Sequence, residues 1–115
     1  SYTISKVALG QGTELVGADL VVTQTADASG AAVSKEIASW KSDGTQKELT
    51  DLADGTYVLT ETSAPEGYEV AESIEFTIQN GNLVNSGDNV KDGVVTMTDD
   101  FKKTDVKVSK VDAGA

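Results

Sequence analysis

Turn signals recur at short intervals along this chain, which points to many short strands. They fall at Gly10 and Gly12, Gly17, Ser29-Gly30, Asp43-Gly44, Asp54-Gly55, Pro65 to Gly67, Asn80-Gly81, Ser86-Gly87 and Asp92-Gly93. The stretches between them alternate polar and apolar residues, and no window carries a 3.6-residue apolar period. Val, Ile and Thr number 31 against 7 Leu, a tilt toward the β-branched residues that suit strands. Strands are predicted near 2–9, 18–25, 33–41, 56–63, 73–79 and 93–99, with a short one near 47–50 and a weak one at 83–85. Many short strands joined by regular turns imply an all-β antiparallel sandwich or barrel. Ala64-Pro65-Glu66-Gly67 suits a type I turn, with Pro second and Gly fourth.

The residues that are missing exclude much chemistry. The 115 residues include no His and no Cys. That removes the usual zinc ligands, a Ser-His-Asp triad, a thiol nucleophile and any disulfide. All nine cationic residues are Lys, and the net charge is −10, which argues against a nucleic-acid partner and for a soluble monomer. No uninterrupted apolar run exceeds three residues, so no membrane insertion is expected of this fragment. With no signal peptide and no initiator Met, the chain reads as a piece of a longer one.

Side chains alternate faces along a strand, and that parity singles out three residues. Tyr2, Ile4, Lys6 and Ala8 share one face of the first strand. Tyr57, Leu59 and Glu61 share a face of the strand near 56–63, and Val95, Met97 and Asp99 share a face of the last. The more apolar face of each strand thus holds one ionisable group: an amine and two carboxyls. Burying one charge costs several kcal/mol unless it is paired or neutralised. Burial favours the neutral form of an amine and of a carboxyl alike, and a neutral amine held against a carboxyl carbon is a nucleophile. Lys6 could then attack Asp99 while a protonated Glu61 polarises the carbonyl and shuttles protons, with water leaving. The product would be an intramolecular isopeptide bond between first and last strands. On parity alone the commoner reading is a structural Lys–carboxylate ion pair, or three residues at strand ends facing solvent.

The segments YVLTETSAPEGY (57–68) and ELVGADLVV (14–22), with ISK at the start and VVTMTDD near the end, resemble the Cna B-type domain of Gram-positive surface proteins. SWKSDGTQKEL and EGYEVAESIEFTI bring the chain nearest to streptococcal members. The resemblance runs through residues 2–101 in order. It implies a transthyretin-like (prealbumin-like) β-sandwich of about seven strands. It also implies an isopeptide bond between a first-strand Lys and a last-strand Asn or Asp, catalysed by the Glu of the ET-x-AP-x-GY box. Matched by motif, these are Lys6, Asp99 and Glu61, the trio that parity selects. An Asp acceptor implies loss of water rather than ammonia. The first strand departs from the family pattern, with VALG where VDAG is usual.

VDAG appears instead in the tail. YTISKVALG (2–10) is echoed by VKVSKVDAG within 105–114, with Lys6 and Lys110 104 residues apart. The expected organisation is a Cna B-type domain over 1–103, then a linker and the start of a following tandem domain over 104–115. The Lys102-Lys103 pair reads as linker charge.

Two other groups of residues could form sites. Trp40, Tyr2, Tyr57 and Tyr68 could make a sugar-stacking platform, though single aromatics on separate strands more often pack. Asp51 with Asp54, and Asp88 with Asp92, could hold calcium, but no EF-hand spacing is present, so neither metal nor cofactor is expected.

The resulting expectation is a stalk or spacer domain of a cell-wall-anchored, extracellular adhesin or pilus protein. Its partners would be neighbouring tandem domains, with a host matrix protein as a further candidate. It is no enzyme, since Glu61 acts once per chain. The alternative is a ligand-binding adhesin module recognising a host matrix protein or glycan. A sortase-polymerised pilin would need a sorting signal and a pilin Lys motif, and neither is seen.

Overall fold

A computed structural model describes residues 2–102, and every regular element in them is a strand. In chain order these are β1 (Tyr2–Ala8), β2 (Val16–Asp27), β3 (Ala32–Asp43), β4 (Lys47–Leu49), β5 (Gly55–Ser63), β6 (Ile74–Gln79), β7 (Asn82–Leu83), β8 (Val90–Lys91) and β9 (Val94–Asp99). They form two sheets, one ordered β4-β1-β9-β8 and the other β3-β2-β5-β6-β7. The alternation read from the sequence turns one face of each sheet inward. Ala18, Leu20 and Val22 of β2, Tyr57 and Leu59 of β5, and Phe76 and Ile78 of β6 meet Tyr2 and Ile4 of β1 and Val95 and Met97 of β9 in one core. Tyr57 stacks on Phe76 at 5.5 Å between ring centroids.

The structure corrects the sequence reading in four places. There are nine strands rather than about seven. The two-residue β8 carries no alternation by which to find it, and β7 lies one residue before the weak strand expected at 83–85. The pairing is not wholly antiparallel, because β1 and β9 run parallel from Thr3↔Val94 to Ala8↔Asp99. Hairpin spacing reveals neighbours in sequence, and these two strands stand at opposite ends of the domain. β2 and β3 run to 12 residues each, longer than expected, because bulges in β2 absorb the turn-forming Gly17 and keep the pairing going. Finally, the turn in the box spans Pro65 to Tyr68, closed by the Tyr68 N–H donating to the Pro65 carbonyl at 3.1 Å. Gly67 occupies its third position with φ 91°, which glycine favours and a type I turn does not use. The tandem start expected over 104–115 lies outside the described residues.

Gly55 opens β5 where a side chain has no room. Its φ is 152°, and a Cβ there would lie 2.4 Å from the Ala26 carbonyl oxygen and 2.8 Å from Gln24 Nε2. The backbone oxygen belongs to the paired strand β2 and cannot step aside. Gly55→Ala is therefore expected to lower the unfolding free energy by about 2–3 kcal/mol, read from urea denaturation of the two chains.

Candidate functional site

The parallel pairing of β1 with β9 brings the two ends of the domain together. Lys6 lies opposite Met97, and Ala8 opposite Asp99. Asp99 is thus two positions beyond the partner of Lys6 on the same face, within reach of a lysine stem leaning along the strand. Glu61 comes from the other sheet, on the inward face of β5 after Tyr57 and Leu59. Lys6 Nζ donates to Asp99 Oδ1 in a very close contact, lies 3.5 Å from the Met97 carbonyl oxygen, and stands 3.7 Å from Glu61 Oε2. Lys6 is 2% exposed, Glu61 3% and Asp99 0%. All three residues singled out by parity are therefore brought to one buried point between the sheets.

The electrostatics of this point follow from its dryness. Burial, and then the hydrogen bond shared with the Asp99 carboxyl, push the Glu61 carboxyl up to about 7. The Ala71 N–H, donating to Glu61 Oε1 at 2.7 Å, and the charge of Lys6 pull the other way. A hydrogen bond between two carboxyls requires a proton on one of them. Without that proton, Glu61 Oε2 and Asp99 Oδ2 are both buried and unpartnered. A Glu61 carboxyl raised toward neutrality can hold a proton beside an amine and a carboxyl carbon, which is what acid-assisted condensation needs.

The box that supplies Glu61 also holds the end of β9. Past Asp99 the chain pairs with the box loop. The Glu69 N–H donates to the Asp100 carbonyl and the Lys102 N–H to the Gly67 carbonyl, each at 2.9 Å. Tyr68 packs on Phe101 with ring centroids 5.0 Å apart. Sequence reasoning found Glu61 but not the Ala71 N–H that orients it, since a backbone donor leaves no side-chain signature. It also assigned nothing to Glu14, whose carboxylate accepts from the Ser5 hydroxyl at 2.5 Å and the Lys6 N–H at 3.0 Å.

The other singled-out residues stay apart. Tyr2 and Tyr57 belong to the core, with their hydroxyls donating to the Gly81 and Ala53 carbonyls at 2.5 Å each. Trp40 sits beneath the Lys47 ammonium, 5.6 Å from ring centroid to Nζ, and Tyr68 lies with Phe101. Asp54 turns its carboxylate onto the Asn80 and Gly81 N–H groups. Among the described residues no three acidic side chains gather as metal ligands.

Comparison with known proteins places this geometry in a family. The SpaA prealbumin-like fold domain matches residues 1–91. A pilus-presented adhesin, Spy0125 (Cpa), is 33% identical with a TM-score of 0.52, over 71% of this chain and 17% of that one. The chain thus spans under a fifth of that adhesin. The backbone protein of group B streptococcus pilus 2b shares the fold at 21% identity and a TM-score of 0.59, over 88% of this chain and 40% of its own. The C-terminal domain of the shaft pilin SpaA from Lactobacillus rhamnosus GG does so at 16% and 0.51, over 88% of this chain and 98% of its own. Comparison with curated proteins finds no match. Two facing sheets, a buried Lys–Glu–Asp trio and a matched span covering most of the sequence lead to one assignment: the chain belongs to the SpaA prealbumin-like fold domain family, of the Cna B type.

Proposed function

We propose that this domain is a load-bearing stalk module of a Gram-positive pilus or surface adhesin, anchored at the cell wall through its parent chain and sealed by a self-formed Lys6–Asp99 isopeptide bond. One observation carries the reading: an amine and two carboxyls meet at a point no more than 3% exposed. Left ionised, the three would bury a net negative charge, a costly state. Condensation of Lys6 with Asp99 removes both opposing charges and leaves a neutral amide.

The steps balance without any other reactant. Lys6, having given a proton to the carboxyl pair, presents a lone pair to Asp99 Cγ. Glu61, protonated, donates its hydrogen bond to the Asp99 oxygen and raises the electrophilicity of that carbon. As the C–N bond forms, Glu61 passes its proton to that oxygen; now a carboxylate, it takes a proton from the amine nitrogen and delivers it to the resulting hydroxyl, which leaves as water. Fixed geometry takes the place of high reactant concentration, and the apolar surroundings keep water from reversing the step. Glu61 ends as it began, once per chain.

The stalk assignment follows from where the bond sits. It closes a loop between residues 93 apart in sequence, so tension entering through β1 passes straight to β9 and leaves most of the sandwich unloaded. Pilus adhesins and backbone pilins are the company this fold keeps among solved structures, which supports an extracellular setting with neighbouring domains of the same chain as partners.

The intact mass is expected to fall one water below the sequence mass. Lys6→Ala, Glu61→Ala and Glu61→Gln should each restore the full value, and a wild-type mass equal to the sequence would refute the bond. Closing a loop of this length stabilises by about 4–5 kcal/mol through lost chain entropy. The wild type should therefore melt on the order of 20 °C above Lys6→Ala in calorimetry.

The pH dependence has a definite sign. A carboxyl whose folded pKa is raised binds its proton more tightly in the native state, so its contribution is greatest below its ordinary value of 4.5 and fades as pH rises through about 7. In the unreactive Lys6→Ala chain, which also lacks the cation that opposes this shift, stability should decline as pH rises across that window. The Lys6→Ala/Glu61→Gln double variant should lose that component of the slope, as measured by urea unfolding at each pH.

A further inference from the structure

Strand β1 has a gap in its pairing beside the residue that must be placed best. On one side β9 covers it from Thr3 to Ala8. On the other, β4 covers only Tyr2, Thr3 and Ile4. From Ser5 onward that edge has no strand of the sheet beside it, and Lys6 is the second residue past the break. An unpaired backbone N–H next to a buried side chain is costly and lets the strand shift.

The segment before β2 fills this gap. Leu15 N–H donates to the Lys6 carbonyl at 2.7 Å, and Val7 bridges to Glu14. The Lys6 N–H finds no backbone acceptor there and donates to Glu14 Oε1 at 3.0 Å. Glu14 Oε2 takes the Ser5 hydroxyl at 2.5 Å, which accounts for the burial of Ser5 on the face opposite Lys6. One carboxylate thus grips two successive residues of β1, and the carbonyl of the second, Lys6, is held by the adjoining Leu15 N–H. An ionised acceptor makes such hydrogen bonds shorter and stronger than a neutral one.

We infer that Glu14 is a positioning residue for the cross-link: its carboxylate stands in for the missing strand at Lys6 and fixes the register from which the amine reaches Asp99. The inference rests on the cross-linking reading above and adds to it a residue outside the reacting trio. Glu14 touches neither reacting atom. It acts through the backbone of Lys6, and misplacement of a nucleophile by about 1 Å is enough to slow a pre-organised reaction severely.

The test follows water loss by intact mass in the full chain, sampled after a pulse of cell-free synthesis and quenched in acid, with folding followed in parallel by Trp40 fluorescence. Glu14→Ala should slow water loss at least about tenfold after folding is complete. Glu14→Gln, whose amide can accept from the Lys6 N–H and donate to the Ser5 hydroxyl, should return the rate to within about threefold of wild type. Thr3→Ala is the control: it removes a hydroxyl that donates to Glu48 at 2.9 Å on the same strand, away from Lys6, and should leave the rate unchanged. Should Glu14→Ala fail to fold, Glu14→Asp carries the test. It keeps the charge on an arm one methylene shorter, and slow water loss is expected of it. Wild-type speed in the folded Glu14→Ala or Glu14→Asp chain overturns the inference while leaving the cross-link intact. Equal slowing by Thr3→Ala also overturns it, by showing that any weakening of β1 suffices. A wild-type chain that never loses water overturns the cross-link and the inference together.

Discussion

The structure turns on the cost of holding an amine and two carboxyls away from water. Three ionisable groups in the middle of an apolar sandwich would be a defect if each stood alone. Brought together they become interdependent: Asp99 accepts from Lys6, Glu61 stands 3.7 Å from the same amine, and the Ala71 N–H holds the far oxygen of Glu61. Each partner is supplied by a different element. The two sheets must therefore be in register before all three are brought together. The site acts as a check on the completed fold as well as a place where chemistry can occur.

The supporting contacts share one design. Glu61 leaves β5 through a box whose loop returns to cover the end of β9. Tyr68 on Phe101, and the pairing of Gly67 and Glu69 with the chain beyond Asp99, fasten the acceptor strand to the loop that follows the acid. On the donor strand, Glu14 and Leu15 complete an edge that β4 leaves short. Precision at the trio thus comes largely from irregular segments tied down by side chains, while the regular strands give the approximate placement.

Much of this was legible in the sequence because alternation is a short-range signal. Tyr2, Ile4, Lys6 and Ala8 could be assigned to one face without knowing their neighbours, and so could Glu61 and Asp99. The ETSAPEGY segment added, by resemblance, the cross-linking reading proposed for this trio. What could not be read was pairing across long separations. The parallel union of β1 with β9 joins residues more than 90 apart, and no turn motif encodes it. β8, with two residues, is too short to alternate. The turn shifted by one residue at Gly67 because Pro65 fits the first position there as readily as the second does one residue earlier. Glu14 sits in a motif that the resemblance quoted, yet its task depends on where β4 stops.

The parallel alignment of the terminal strands has a mechanical meaning of its own. Neighbouring strands that run the same way, one receiving the incoming chain and one releasing the outgoing chain, are loaded in shear. Their ladder hydrogen bonds resist together and cannot be opened one at a time like a zipper. A row of such modules would keep its length under load, so reach would be set by the number of modules, and any give in the assembly would have to come from the joints between them.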